Sequence, residues 1–258
     1  MASLSVFGER LRGWRKRRGL SQLDLAVIAG TTPRYVSFVE TGRSRPGRGV
    51  VLRLADAMNV PLRDRNALLL AAGLPPAFAE SALNDVEMKP VRKIVDLVLA
   101  NHEPYPGIAF GSGFRILKVN RAAERVFPGM TAMTPEQMID MWFGPGPGRD
   151  MVENWEAGAH AGVASLRQEY LRSPTPELGE LVRRAEAHIA DLGPAPDSGA
   201  YDQPVVCSTM KFGAQRVRTI ATVMRFDKPT DVTTSELRVE LMFPADAESE
   251  AFFRNLVE

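Results

Sequence analysis

The stretch SQLDLAVIAGTTPRYVSFVETG, residues 21–42, constrains the fold more than any other part of the chain. Ser21 stands just before a short apolar-periodic run. Its hydroxyl can accept one of the orphan amides of a helix start, and Asp24 falls at the third helical position, as in a capping box. Leu25 and Ala26 take the inward face, and the small Ala26 lets a neighbouring helix cross closely. Gly30 supplies a turn. Thr32 caps a second short helix, Pro33 sits at its first position where a missing amide costs nothing, and Gly42 stops it. Val36 and Val39 face inward. Upstream, Phe7, Leu11 and Trp14 recur at three- and four-residue spacing on a helix from Phe7 to Arg18 that Gly19 ends. Downstream, helices are predicted over about Val50–Met58 and Leu62–Ala72.

Charge divides the chain in the same place. Residues 1–75 hold 13 Lys/Arg and 5 Asp/Glu, and residues 76–258 hold 19 and 26. The overall net charge of +1 conceals a basic first domain and an acidic remainder. A polyanion partner is expected for the first domain alone.

The string SQLDLAVIAGTTPRYVSFVETGRSRP resembles the helix-turn-helix of the lambda-repressor-like, or XRE, family. The matching signs are Gln22, Leu25-Ala26, Gly30, Val36-Ser37 and Glu40 before Gly42. The resemblance implies double-stranded DNA as partner, with the third helix in the major groove. Thr32, Arg34, Tyr35, Ser37 and Phe38 are then the outward candidates for base edges, with Arg34 suited to guanine O6 and N7. Gln22 is placed to contact phosphate or base. Arg43, Arg45 and Arg48 follow in a loop assigned to phosphates. Glu40 is expected to act structurally inside the domain.

Residues 76–104 read as a Pro- and Ala-rich connector followed by a helix from Val91 to Asn101. From Tyr105 the pattern changes. Ile108-Ala109-Phe110, a Gly111-Ser112-Gly113 turn and Ile116–Val119 predict a hairpin, and Asn120 caps a helix carrying Ala122, Ala123, Val126 and Phe127. A helix ending in Met138, Met141, Trp142 and Phe143 is broken by GPGPGRD. Residues 149–171 and a segment after Pro176, running to Leu192, are predicted helical. VVCSTMKFG, RVRTIATVMRF and SELRVELMFPAD read as three successive strands. Arg238 and Glu240 alternate there with Leu237, Val239 and Leu241, which suits an antiparallel meander with one face buried.

The SFVETGRSRP motif, the PYP-started hairpin with VNRAA, Asn154-Trp155 and the terminal ELRVELMFPAD together resemble the MmyB-like regulators over nearly all 258 residues. The fold this implies is an all-α five-helix lambda-repressor-like DNA-binding domain (1–75), a linker and connecting helix (76–104), and an α+β PAS-like domain with an antiparallel sheet (105–258). The implied function is a cytoplasmic, homodimeric transcription regulator that binds an inverted-repeat operator and whose second domain senses a small apolar ligand. In some members that ligand is a fatty-acyl chain. Phe127, Met138, Trp142, Phe143, Trp155, Met210, Met224 and Phe226 are the candidates to line such a pocket. Arg121, Arg216 or Arg218 would offer a polar anchor, and the sequence does not choose among them. Beyond a bound fatty acid or acyl compound, no cofactor is expected.

Other classes fit less well. His102, His160 and His188 have no metal-ligand spacing, and no nucleophile elbow or phosphate-binding glycine loop is present, so no enzyme is expected. A haem, flavin or thiol sensor on the same scaffold is the alternative, with Cys207 or a histidine as its reactive group. The N-terminus lacks the apolar core and cleavage site of a secretory signal, and no apolar run suits membrane insertion. The single cysteine, Cys207, fits a reducing compartment.

Overall fold

The computed structural model describes residues 2–195 and 205–257. Residues 1–81 and 228–235 form one compact unit, and 82–227 with 236–258 form a second.

The first unit is an all-helical bundle of α1 (Ala2–Arg17), α2 (Gln22–Ile28), α3 (Pro33–Glu40), α4 (Arg48–Ala57) and α5 (Leu62–Ala71). The Ser21–Asp24 capping box forms reciprocally, with Asp24 N donating to Ser21 Oγ at 3.1 Å and Ser21 N to Asp24 Oδ2 at 2.8 Å. Thr32 Oγ1 accepts the Tyr35 amide at 3.2 Å. Such caps contribute about 1 kcal/mol each. Gly30 takes φ 62°, which lets the Thr31 amide reach back to Ala26 O at 2.8 Å and close α2. Phe7, Leu11, Trp14, Leu25, Ala26, Val36 and Val39, the inward set expected from the sequence, form one buried core with Leu54 and Leu68. Gly8 was not anticipated. A Cβ on it would run into the carbonyl of Glu40, so its bare backbone is what lets α1 lie against the end of α3.

The bundle is closed by two more pieces of chain. Asn66 on α5 accepts the amides of Ala77 (2.9 Å) and Phe78 (3.1 Å) and donates to Phe78 O at 2.7 Å. This fixes the segment after α5. Residues 228–235, which connect the last two strands of the second unit, then pair beside it. Ala79 and Asp231 form a parallel bridge, the Val232 amide donates to Ala79 O at 2.8 Å, and Thr233 Oγ1 donates to Ser81 O at 2.7 Å. Val232 is fully buried.

The second unit holds a five-stranded antiparallel sheet of order β2-β1-β5-β4-β3. The strands are β1 (Gly107–Phe110), β2 (Ile116–Val119), β3 (Ser208–Phe212), β4 (Gln215–Arg225) and β5 (Arg238–Pro244). On one face α6 (Lys89–Asn101) packs Val95 and Leu99 against Ala109, Leu237 and Val239. The other face buries Ile108, Phe110, Met210 and Val217 against α7 (Arg121–Val126) and the C-terminal α13 (Ala247–Val257), the latter unforeseen in the sequence. Beside it lies a helical layer of α8 (Pro135–Phe143), α10 (Trp155–Arg172) and α11 (Pro176–His188) with its own core. Asp140 on α8 accepts both Nε and Nη2 of Arg184 from α11, each at 2.6 Å, which with His188 Nε2 at 2.8 Å holds its carboxyl down to about 2.

Three expectations need correction. GPGPGRD does not simply break a helix, since α9 (Pro147–Asp150) forms within it. The following long helix starts at Trp155 rather than 149, because residues 151–153 pair beside β3 through Glu153 N to Thr209 O (2.8 Å) and Lys211 N to Met151 O (2.7 Å). The last strand starts at Arg238, because Val232–Glu236 coil into the short α12, with Asp231 Oδ1 accepting the Thr234 amide.

Gly8→Ala should lower stability by about 1–3 kcal/mol through forced separation of α1 and α3. Gly13→Ala, on the same helix with nothing within 4 Å of its Cβ position, should raise it by about 0.5–1 kcal/mol. Urea midpoints followed on the bundle's Trp14 would check both, and equal shifts would refute the account of Gly8.

Candidate functional site

The first unit presents α3 through its caps. Arg34 is exposed, and its guanidinium lies 5.2 Å from the Phe38 ring, so the two share one face of the helix. Thr32 is exposed while its hydroxyl is engaged as the cap. Tyr35 and Ser37 are half-buried, and Tyr35 packs partly against the bundle core. The Phe38 carbonyl accepts the amides of Arg43 (2.8 Å) and Ser44 (3.1 Å), which ties the basic loop to the end of α3. Arg43, Arg45 and Arg48 are exposed, and the Arg45 guanidinium lies against Gly73.

Behind this face sits a buried charge. The Glu40 side chain is fully buried. Arg15 donates to both of its oxygens, Nε to Oε1 at 2.6 Å and Nη2 to Oε2 at 3.0 Å, and Gln22 Nε2 donates to Oε2 at 2.9 Å. Arg12 Nε approaches at 3.4 Å. Burial by itself would push the carboxyl up, but the bonds from Arg15 and Gln22 and the charges of Arg15 and Arg12 outweigh it and hold the group below the ordinary range. Three helices meet on this carboxylate. Gln22, expected to contact phosphate or base, is half-buried and donates to it.

In the second unit the eight candidate lining residues fall into three groups. Phe127, Met138 and Met210 belong to the cluster on the sheet. Phe143 and Trp155 belong to the helical layer. Trp142 joins the two: its ring meets Phe127 edge-on at 5.3 Å, and its carbonyl accepts Trp155 Nε1 at 2.7 Å. Phe114 and Val152 likewise pack against both clusters. Met224 and Phe226 are not brought to this seam. Met224 is paired with Val239, and both residues pack with the α6 cluster on the opposite face.

Two of the three arginines considered as anchors are engaged elsewhere. Arg216 Nε binds Glu153 at 2.6 Å, and Arg218 lies 3.5 Å from Asp246. The Arg121 backbone amide donates to Glu103 at 2.7 Å, at the exposed start of α7.

A model of the MmyB-like transcription regulator ligand binding domain matches residues 91–256. The chain belongs to the MmyB-like transcription regulators. A helix-turn-helix domain model matches residues 6–68 of this MmyB-like chain. Over 78 residues it is 36% identical to a Bacillus subtilis (strain 168) protein described as the uncharacterized HTH-type transcriptional regulator RghRB. That match covers 30% of this chain and 54% of the relative, so the chain spans about half the length of the curated relative it matches. The MmyB-like protein is a DNA-binding transcription regulator that carries a ligand-binding domain.

Two parts of this MmyB-like regulator escaped the sequence reading. Arg12 and Arg15 read there as members of a basic face, although Arg15 serves the buried Glu40. Arg238 falls on what alternation marks as the solvent face of its strand, yet it is 6% exposed. The helical layer covers that face too, which a period-two pattern cannot reveal.

Glu40→Gln should destabilise the first unit by about 3–5 kcal/mol, because Arg15 is left as a buried charge without its partner. With its folded pKa depressed, Glu40 contributes stability that is present above its unfolded value near 4.5 and lost as pH falls through the folded value. Denaturant titrations at several pH values should show a smaller acid loss in the variant, and an unchanged acid limb would refute the assignment. Arg34→Ala should cost about 1–3 kcal/mol at the best site and loosen one base position, whereas Arg43→Ala should weaken all sequences alike. Binding-site selection on both variants separates these effects.

Proposed function

We propose that this regulator binds an inverted-repeat operator as a homodimer and that its second domain senses a small apolar ligand, a fatty acid or acyl compound. The division into DNA-binding (1–75), connecting (76–104) and ligand-binding and dimerisation (105–258) parts is the working frame for that reading. Thr32, Arg34, Tyr35, Ser37 and Phe38 are its base-facing residues, and Arg43 and Arg45 meet phosphates. Gln22, at the start of α2, contacts phosphate or base and also fixes Glu40, and with it the set of α3.

The observation that carries the ligand reading is the seam between two apolar clusters. Phe114, Trp142 and Val152 touch both. A seam separates more easily than the inside of one core: at Phe114 and Trp142 opening it breaks side-chain contacts and leaves the pairing of the five strands intact, while Val152 stays anchored beside β3. An acyl chain inserted there would be lined by Phe127, Met138, Trp142, Phe143, Trp155 and Met210. Pockets of this composition hold apolar ligands, and methionines adapt to a flexible chain. Met224 and Phe226 belong to the other face and are left out of this pocket.

Two features support the remainder. Ile94 and Leu97 on α6 are 42% and 51% exposed, an apolar pair suited to a second subunit. Residues 228–235, built into the first unit, continue directly into β4 and β5. A ligand that shifts either strand therefore has a covalent route to the DNA-binding bundle. Coupling of about 1–3 kcal/mol is enough to switch a promoter.

An organic extract of the purified full-length protein, analysed by mass spectrometry, should contain a near-stoichiometric fatty acid or acyl compound, and the protein solution should be colourless. Visible absorbance from a bound chromophore would overturn the acyl reading in favour of a haem or flavin sensor. Operator affinity should fall linearly on a log–log salt plot with a slope of about −0.9 per phosphate neutralised.

A further inference from the structure

Arg238 opens β5 with its guanidinium turned into the protein. The residue is 6% exposed, and its charge lies 3.4 Å from the centre of the Phe114 ring and 4.8 Å from that of Phe110. Among the described residues no carboxylate lies within ion-pairing distance of it, and its guanidinium donates no hydrogen bond. The nearby Glu169 is already taken by Arg225 at 2.6 Å. Glu240, two residues on along the same strand, attracts the charge without bonding to it. A desolvated cation whose direct contacts are ring faces is costly, because cation–π attraction returns only part of what hydration supplied. Burial pushes Arg238 down to about 10, so it stays charged at neutral pH.

The guanidinium borders a narrow recess made by four pieces of chain. These are the Gly111–Phe114 turn, the end of α10 with Glu169 and Ser173, the start of α11 with Thr175 and Leu178, and Glu236 with Arg238 itself. The α11 helix is 13 residues long and directs its N-terminus to this place, which favours negative charge. Phe114 is held at φ 62°, an unfavourable conformation for a bulky side chain, and in that conformation its ring covers Arg238. Backbone strain of this kind collects at functional sites. The same Phe114 is one of the three residues that touch both apolar clusters, so the recess opens where the acyl seam begins.

We propose that Arg238, with the N-terminus of α11, is the anion-recognising end of the ligand site and takes the carboxylate of an acyl ligand. The proposal rests on the acyl reading for the tail and on Arg238 alone for the head. The carboxylates of Glu169 and Glu236 also border the recess, so a singly charged carboxylate is accepted and a doubly charged phosphate is repelled. Arg238 stands three residues after Ser235, the end of the segment built into the DNA-binding unit. Neutralising this cation therefore acts at the root of that connection.

The test is calorimetric titration of delipidated full-length protein with acetate, hexanoate, octanoate and dodecanoate, alongside the matching alkanols and alkyl phosphates. The expected result is that carboxylates bind wild type about tenfold or more tighter than alkanols of equal length, and that phosphates bind more weakly than carboxylates. Arg238→Gln should erase the preference for carboxylate while alkanol affinity persists, and Arg238→Lys should retain part of it. Arg216→Gln, at an exposed ion pair, should change nothing. Equal affinity for carboxylates and alkanols in wild type, a preference that survives in Arg238→Gln, or no binding of any carboxylate would each overturn the proposal. The wild-type comparison decides the matter even where a variant fails to fold. Carboxylate preference without any gain from chain length would uphold the Arg238 site and remove the acyl reading instead.

Discussion

The helix-turn-helix depends on one buried carboxylate. Glu40 is the last residue of α3, and the groups that satisfy it come from α1 (Arg12, Arg15) and from the first residue of α2 (Gln22). An unpaired charge at that depth would cost several kcal/mol, so the three helices are stable together only in the arrangement that delivers those donors. Hydrophobic burial supplies most of the bundle's stability, but apolar contacts tolerate sliding. A bidentate guanidinium does not, because its two N–H groups have to meet two oxygens in one plane. Gly8 belongs to the same constraint, since it allows α1 close enough for Arg15 to reach. The angle at which α3 presents Arg34 and Phe38 is thus set from behind.

Much of this was legible in the sequence, and the boundary of legibility is physical. Caps, turn glycines and apolar periodicity act locally, so Ser21, Gly30, Thr32 and Pro33 marked α2 and α3 and the inward residues followed. Short apolar runs around a glycine turn marked β1 and β2, and strand-like runs with alternation marked the three C-terminal strands in order. Features that depend on distant pairing were hidden. Residues 151–153 join the edge of β3, with Asn154 accepting the Thr209 amide and donating to Cys207 O, and nothing local announces it. The segment 228–235 looks like a turn between strands, and only its partners Ala79 and Ser81 show that it belongs to the first unit.

The ligand candidates show the same boundary. Choosing large apolar residues recovered members of both clusters beside the seam, but it could not tell the two faces of the sheet apart. Register decides that: Met210 pairs with Val217 and faces the helical layer's side, whereas Met224 pairs with Val239 and faces α6. For the arginines the error ran the other way. Arg216 and Arg218 lie on a strand whose alternation looked correct, and both have exposed carboxylate partners. Arg238 looked equally solvent-facing and is the buried one.

That contrast bears on how a sensor of this design works. Exposed ion pairs contribute little, because water competes for both partners. A cation shielded from water and without a directly bonded anion responds strongly to a ligand that brings one, since the ligand's charge then meets a desolvated partner in a medium of low dielectric. The cost of keeping Arg238 in that state lowers the stability of the empty domain and becomes differential affinity when an anion arrives, which is what a shift between two conformations requires. Placing the residue at the start of β5, where the chain has just left the helix-turn-helix unit, puts that response next to that unit along the chain.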